Sequence, residues 1–169
     1  MTSDLRRRAG PRPSPQPRAA SAPRLAAAQL ISAVIHDGAT LDAAFAAAPA
    51  FGGLEGRDRT FAAAVARAAL RAYGPIRAAL DARIARPLAK GAELADALLV
   101  AGAAEITVLK APPHAAVNEA VAAARTDRKA GAFAGLINAV LRRIADAADL
   151  VDLAPARAFA PPAVWTRWR

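Results

Sequence analysis

Apolar positions recur along this chain at helical spacing, most clearly near its carboxy-terminal third. Phe133, Leu136, Ile137, Val140, Leu141 and Ile144 fall at i, i+3, i+4, i+7, i+8 and i+11, an unbroken stripe along one face of a helix. Arg142 and Arg143 close that helix, where positive charge suits the carbonyl end of the macrodipole. Upstream, Val117, Val121 and Ala124 follow the same period, after Pro112 and Pro113, which suit a first turn but no helix interior. The polar stretch Thr126–Lys129 and then Gly131 separate the two runs. Pro112–Arg143 therefore reads as a buried helical hairpin with a basic end.

The rest of the chain carries the same period between breaks. Arg24–His36 predicts a first helix with Ala27, Leu30, Ile31 and Val34 inward, stopped by Gly38. Leu41 and Phe45 set a short second helix ending before Pro49. Ala50–Gly56, with Gly52-Gly53, reads as a plain connector: no strand precedes it and no Lys-Ser/Thr follows, as a phosphate-binding loop requires. Asp58 is placed to cap a third helix reaching Tyr73, with Phe61, Val65, Ala68 and Ala69 inward. Gly74-Pro75 is expected to break the chain before a fourth helix on Ile76, Leu80 and Ile84. Glu93–Lys110 predicts a fifth on Leu94, Leu98, Leu99, Ile106 and Leu109. Gly102 within it costs up to about 1 kcal/mol against alanine, which implies close approach of a neighbouring helix with no side chain between. The expectation is an all-α bundle of about seven helices over residues 24–150.

Composition supports this. Hydrophobic residues make up 55% of the 169, yet aromatics only 5%, so alanine, the best helix former, carries the difference. No run of about twenty uncharged apolar residues exists to span a membrane, and the basic amino terminus leads into prolines rather than an apolar signal core. Cysteine is absent, which removes disulfides and thiolate metal sites. A soluble cytoplasmic protein is expected.

The net charge of +9 is unevenly placed. Residues 25–153 hold 14 basic and 13 acidic groups, so the excess lies in the ends. Arg6, Arg7, Arg8, Arg12, Arg18 and Arg24 stand against Asp4 alone, among alternating prolines. Residues 1–23 are thus expected to form a disordered arm able to contact phosphates. Arg67 and Arg71, one turn apart, offer a basic strip away from their helix's inner face. Residues 151–169 show no helical period and read as a linker, with Trp165 and Trp168 near its end.

No catalytic constellation is visible. His36 and His114, the only histidines, lie far apart, and a metal site needs more ligands at helical or turn spacing. Asn118 and Asn138 stand out among apolar neighbours and are expected to make structural hydrogen bonds, since buried amides need partners.

The segments PPHAAVNEAV and, about fifteen residues later, GLINAVLRR are the most specific features of the chain. They resemble the NusB-like fold and, more narrowly, the amino-terminal RNA-binding domain of the RsmB (Sun, Fmu) 16S ribosomal RNA cytosine-C5 methyltransferases. The resemblance covers roughly residues 24–150. It implies an RNA-binding domain with small-subunit ribosomal RNA as partner, docked to its own methyltransferase domain. Transfer from S-adenosylmethionine through a cysteine would belong to that domain. This chain has no cysteine and no strand–glycine-loop–helix unit, so it is expected to be non-catalytic alone and part of a longer protein. The resemblance also admits a NusB-type transcription antitermination factor, binding leader RNA with a ribosomal protein. The RNA-contacting residues expected are Arg6, Arg7, Arg8, Arg24, Arg67, Arg71, Arg142 and Arg143.

Overall fold

The computed structural model describes residues 21–161, and regular structure among them is entirely helical. The helices are α1 (Ala22–Ile35), α2 (Leu41–Ala47), α3 (Pro49–Gly52), α4 (Gly56–Arg71), α5 (Tyr73–Asp81), α6 (Glu93–Thr107), α7 (Pro113–Thr126), α8 (Arg128–Gly131) and α9 (Ala134–Ala145). A 3-10 turn follows at Ala156–Phe159. Setting aside the single turns α3 and α8, seven helices remain among the described residues, at the places the apolar period predicts.

The bundle is built around α6. Every residue from Ala95 to Thr107 is buried, so this helix has no solvent face and must be surrounded by others. Helices α1, α4, α5, α7 and α9 all pack on it. Alanines fill the contacts, which lets the helix axes approach closely. Gly102 is the tightest point. A Cβ there would lie 2.6 Å from Cδ1 of Leu141, a fully buried side chain of α9. A neighbouring helix does come close here, but not with bare backbone as expected: the Leu141 side chain fills the space a methyl group would need.

Several boundaries differ from expectation for local reasons. Asp58 is not the cap of α4; Glu55 holds the N-cap position, and Asp58 lies in the first turn, where its charge still favours the dipole. Gly74-Pro75 does not break the chain but sits in the first turn of α5, where proline needs no amide donor. The connector after Pro49 contains the single turn α3. The hairpin connection contains α8, whose cap is Asp127; its carboxylate accepts from the Lys129 and Ala130 amides, both at 2.8 Å.

The chain after α9 also folds back on the domain. Lys110, in the left-handed region at φ 52°, binds the Ala148 carbonyl and pairs with Asp149 and Asp152. The 3-10 turn packs on α5, and a methyl group on Gly74 would overlap the Ala158 carbonyl oxygen. Trp165 and Trp168 lie outside the described residues.

Candidate nucleic-acid interface

The cations of the fold divide into those held by acids and those turned to solvent. Arg24 belongs to the first group. Its Nε and Nη2 donate to Glu105 Oε2 at 3.0 and 2.7 Å, and its guanidinium lies 4.9 Å from the Phe61 ring centre. Glu105 sits on α6 with only 1% of its side chain exposed, and Arg24 has 14%. Burial pushes the Glu105 carboxyl above its usual range; Arg24 opposes that, and the nearby Glu119 adds to it. Glu119 Oε2 is itself buried and accepts no hydrogen bond from the described residues. Arg24 therefore serves as the counter-ion of a core carboxylate, a role that differs from the expected RNA contact.

Arg77 is held in the same way. It donates to Asp96 Oδ1 and pairs with Asp81 Oδ1, each at 2.7 Å, while His36 Nε2 lies 3.3 Å from Asp96 Oδ2. Burial works against the Arg77 charge, and its bonds to the two aspartates more than offset this, so its pKa is raised. This cluster ties the end of α1 to the middle and end of α5 and to the first turn of α6. His36 thus has an acid for a partner, and His114 is exposed in the first turn of α7. No group of three or more His, Cys, Asp or Glu side chains among the described residues is arranged to hold a metal.

Four solvent-facing cations stand on α4. Arg57, Arg59, Arg67 and Arg71 are all exposed there, and none makes an ion pair with an acid among the described residues. Arg59, Ala63, Arg67 and Arg71 succeed one another at four-residue intervals, so they share one side of the helix. Arg59 and Arg67 are also fixed. The Arg59 guanidinium stands 4.3 Å from the Phe51 ring centre and donates to the Phe51 carbonyl oxygen at 3.2 Å. The Arg67 guanidinium stands 5.0 Å from the Phe45 ring centre, and the two rings are 4.9 Å apart. Together with Thr60 and Ala63 these residues line a shallow notch of about 400 Å³.

Arg142 and Arg143 form a separate basic place. Both are exposed in the last turn of α9, and Arg83 Nε donates to the Arg143 carbonyl oxygen at 3.3 Å. Arg6, Arg7 and Arg8 lie outside the described residues. Asn118 is exposed and Asn138 half-buried, and neither makes a described hydrogen bond to another helix. The buried-amide argument therefore fails for Asn118: it points outward from α7, whose inner face is Ala116, Val117, Ala120, Ala123 and Ala124.

Sequence reasoning missed Arg59 and its two phenylalanines. The eight-residue spacing of Arg59 and Arg67 marks a shared side of α4. Nothing in the sequence sets the fold of α2 and α3 that brings Phe45 and Phe51 beneath it.

Comparison with known proteins agrees with this architecture. Residues 21–146 match the NusB family. The chain is 42% identical over 123 residues to ribosomal RNA small subunit methyltransferase B of Xanthomonas campestris pv. campestris, and 38% identical over 123 residues to the protein of that name from Xylella fastidiosa strain Temecula1. Each alignment takes in 72% of this chain and 28% of the relative, so the chain spans less than a third of the length of these relatives. The family match covers the whole helical body, from the first turn of α1 to the end of α9, and the chain belongs to the NusB family.

Proposed function

We propose that this chain is the RNA-binding domain of a small-subunit ribosomal RNA methyltransferase and holds the RNA while a catalytic domain outside this sequence acts on it. One observation carries the reading: α4 displays four exposed arginines without acidic partners among the described residues, on a family fold whose full-length relatives are named as ribosomal RNA methyltransferases. Phosphate contacts from such side chains set position and orientation without reading sequence. In this reading Arg142 and Arg143, at the basic end of α9, supply a second set of phosphate contacts, and Arg6, Arg7 and Arg8 add further ones.

In this reading the substrate is 16S ribosomal RNA, the other partner is the protein's own methyltransferase domain, and the setting is the cytoplasm. No helix among the described residues is long and apolar enough to cross a membrane. The methyl donor is S-adenosylmethionine, bound by the other domain. The described residues here form no strand–glycine-loop–helix that fits that cofactor. The names of the relatives favour this reading over an antitermination factor that binds leader RNA with a ribosomal protein.

Fluorescence anisotropy with a labelled fragment of small-subunit ribosomal RNA tests the proposal. Replacing Arg59, Arg67 and Arg71 together with glutamine is expected to weaken binding and to flatten its salt dependence. The log–log slope should fall by about 0.7 for each single-strand phosphate that the variant no longer neutralises. Unchanged affinity and slope would remove α4 from the interface.

A further inference from the structure

The notch beside α4 has features that a phosphate-binding surface does not need. A side chain that only neutralises phosphate can be mobile, as a lysine is. Here both guanidiniums are laid over aromatic rings, with Arg59 also tied to the Phe51 carbonyl. Each guanidinium lies over a phenylalanine ring, yet both side chains are exposed, so the side away from the ring is open to solvent. Eight helical residues separate them, about 12 Å along the axis. Ala63 between them is too small to fill the gap. A notch of about 400 Å³ results, near the lower end of the ~300–1,000 Å³ typical of small-molecule sites.

We infer that this notch is a stacking site for unpaired nucleotides. It takes bases on the outer faces of Arg59 and Arg67, with the adjoining phosphates drawn toward Arg71. Guanidinium planes are established platforms for splayed bases, and Arg additionally supplies in-plane donors that a Lys cannot. Phe45 and Phe51 act as backing: they hold the guanidiniums flat before RNA arrives and so reduce the ordering cost of binding. The consequence is a preference for single strands, loops or bulges over duplex, whose bases are already stacked on one another. This rests on the RNA-binding reading above and adds to it which form of RNA the α4 surface takes.

The test uses the full chain and three labelled probes of equal length and equal phosphate count per strand: a mixed-sequence single-stranded RNA, the same RNA annealed to its complement, and an abasic ribose-phosphate strand. The unmodified protein is expected to bind the single strand about tenfold or more tighter than the abasic strand, in line with the contribution of one stacked base. In the double variant Arg59→Lys, Arg67→Lys the charge is kept and the planar platform removed. That variant should keep the salt slope and lose the advantage of single strand over abasic strand. Its helical circular dichroism should match the unmodified protein, and its melting temperature should fall by no more than a few degrees, because both side chains are on the surface and lysine keeps a cation near each ring. Equal binding of single-stranded and abasic probes by the unmodified protein would overturn the stacking site and leave phosphate binding standing. Binding of none of the probes at low salt would overturn the RNA-binding reading itself, and this inference with it.

Discussion

Replacing Arg24 with methionine should destabilise the fold severely, and more so at neutral than at acid pH. The substitution keeps much of the side-chain volume but leaves the buried Glu105 carboxylate, in the last turn of α6, without its counter-ion. Removing one partner of a buried ion pair typically costs about 3–5 kcal/mol. Removing the guanidinium from the Phe61 ring adds up to about 1 kcal/mol. Against a domain stability of about 5–15 kcal/mol, this brings the fold close to its limit. The pH dependence follows from the direction of the Glu105 shift. Its carboxyl already titrates above the ordinary glutamate range because of burial, so the folded state binds its proton more tightly than the unfolded chain. Stability from this group is therefore greatest below the unfolded value, about pH 4.3, and falls as pH rises through the raised folded value. Without Arg24 the shift grows, so the deficit of the variant should be smallest near pH 4 and widen toward pH 7. Urea denaturation followed by circular dichroism at both pH values measures it. The double variant Arg24→Met, Glu105→Leu should recover most of the stability, since an apolar pair of similar volume avoids the uncompensated charge. A deficit below about 1 kcal/mol at pH 7 that does not change with pH, together with weakened RNA binding, would refute the architectural role.

Three further substitutions probe other parts of the account. Gly102→Ala gains about 1 kcal/mol of helix propensity but overlaps the buried Leu141 side chain, where overpacking costs about 1–3 kcal/mol; net destabilisation of up to about 2 kcal/mol is expected in urea denaturation. Gly74→Ala should dislodge the Ala156–Phe159 turn from α5 and leave the bundle intact, read as faster hydrogen exchange confined to that turn. Asp127→Ala removes two side-chain bonds at the start of α8 and should cost about 1 kcal/mol of global stability, measured by the same denaturation.

The helical body was legible because its information is local and repeated. The stripe from Phe133 to Ile144 specifies α9 by itself, and the buried length of α6 follows from having apolar or small residues on nearly all sides. The positions of single turns were not legible, because α3 and α8 are set by capping and tertiary fit rather than by any period. Charges were legible in number but not in role. Arg24 and Arg67 look alike in sequence, each an arginine close to alanines. One meets Glu105, 81 residues away, and the other meets a phenylalanine from a neighbouring short helix. Asn118 shows the converse. Its apolar neighbours suggested burial, yet its own position on α7 faces outward, because the inner face needs only Val117 and alanines.

The central claim is that this bundle carries RNA on exposed arginines, and a salt titration of RNA binding by the intact chain tests it most directly. With a labelled fragment of small-subunit ribosomal RNA, the logarithm of affinity should fall linearly with the logarithm of salt concentration. About six or more phosphate contacts would weaken binding by about a thousandfold between roughly 50 and 200 mM. Affinity that is absent at low salt, or unchanged across that range, would contradict the account.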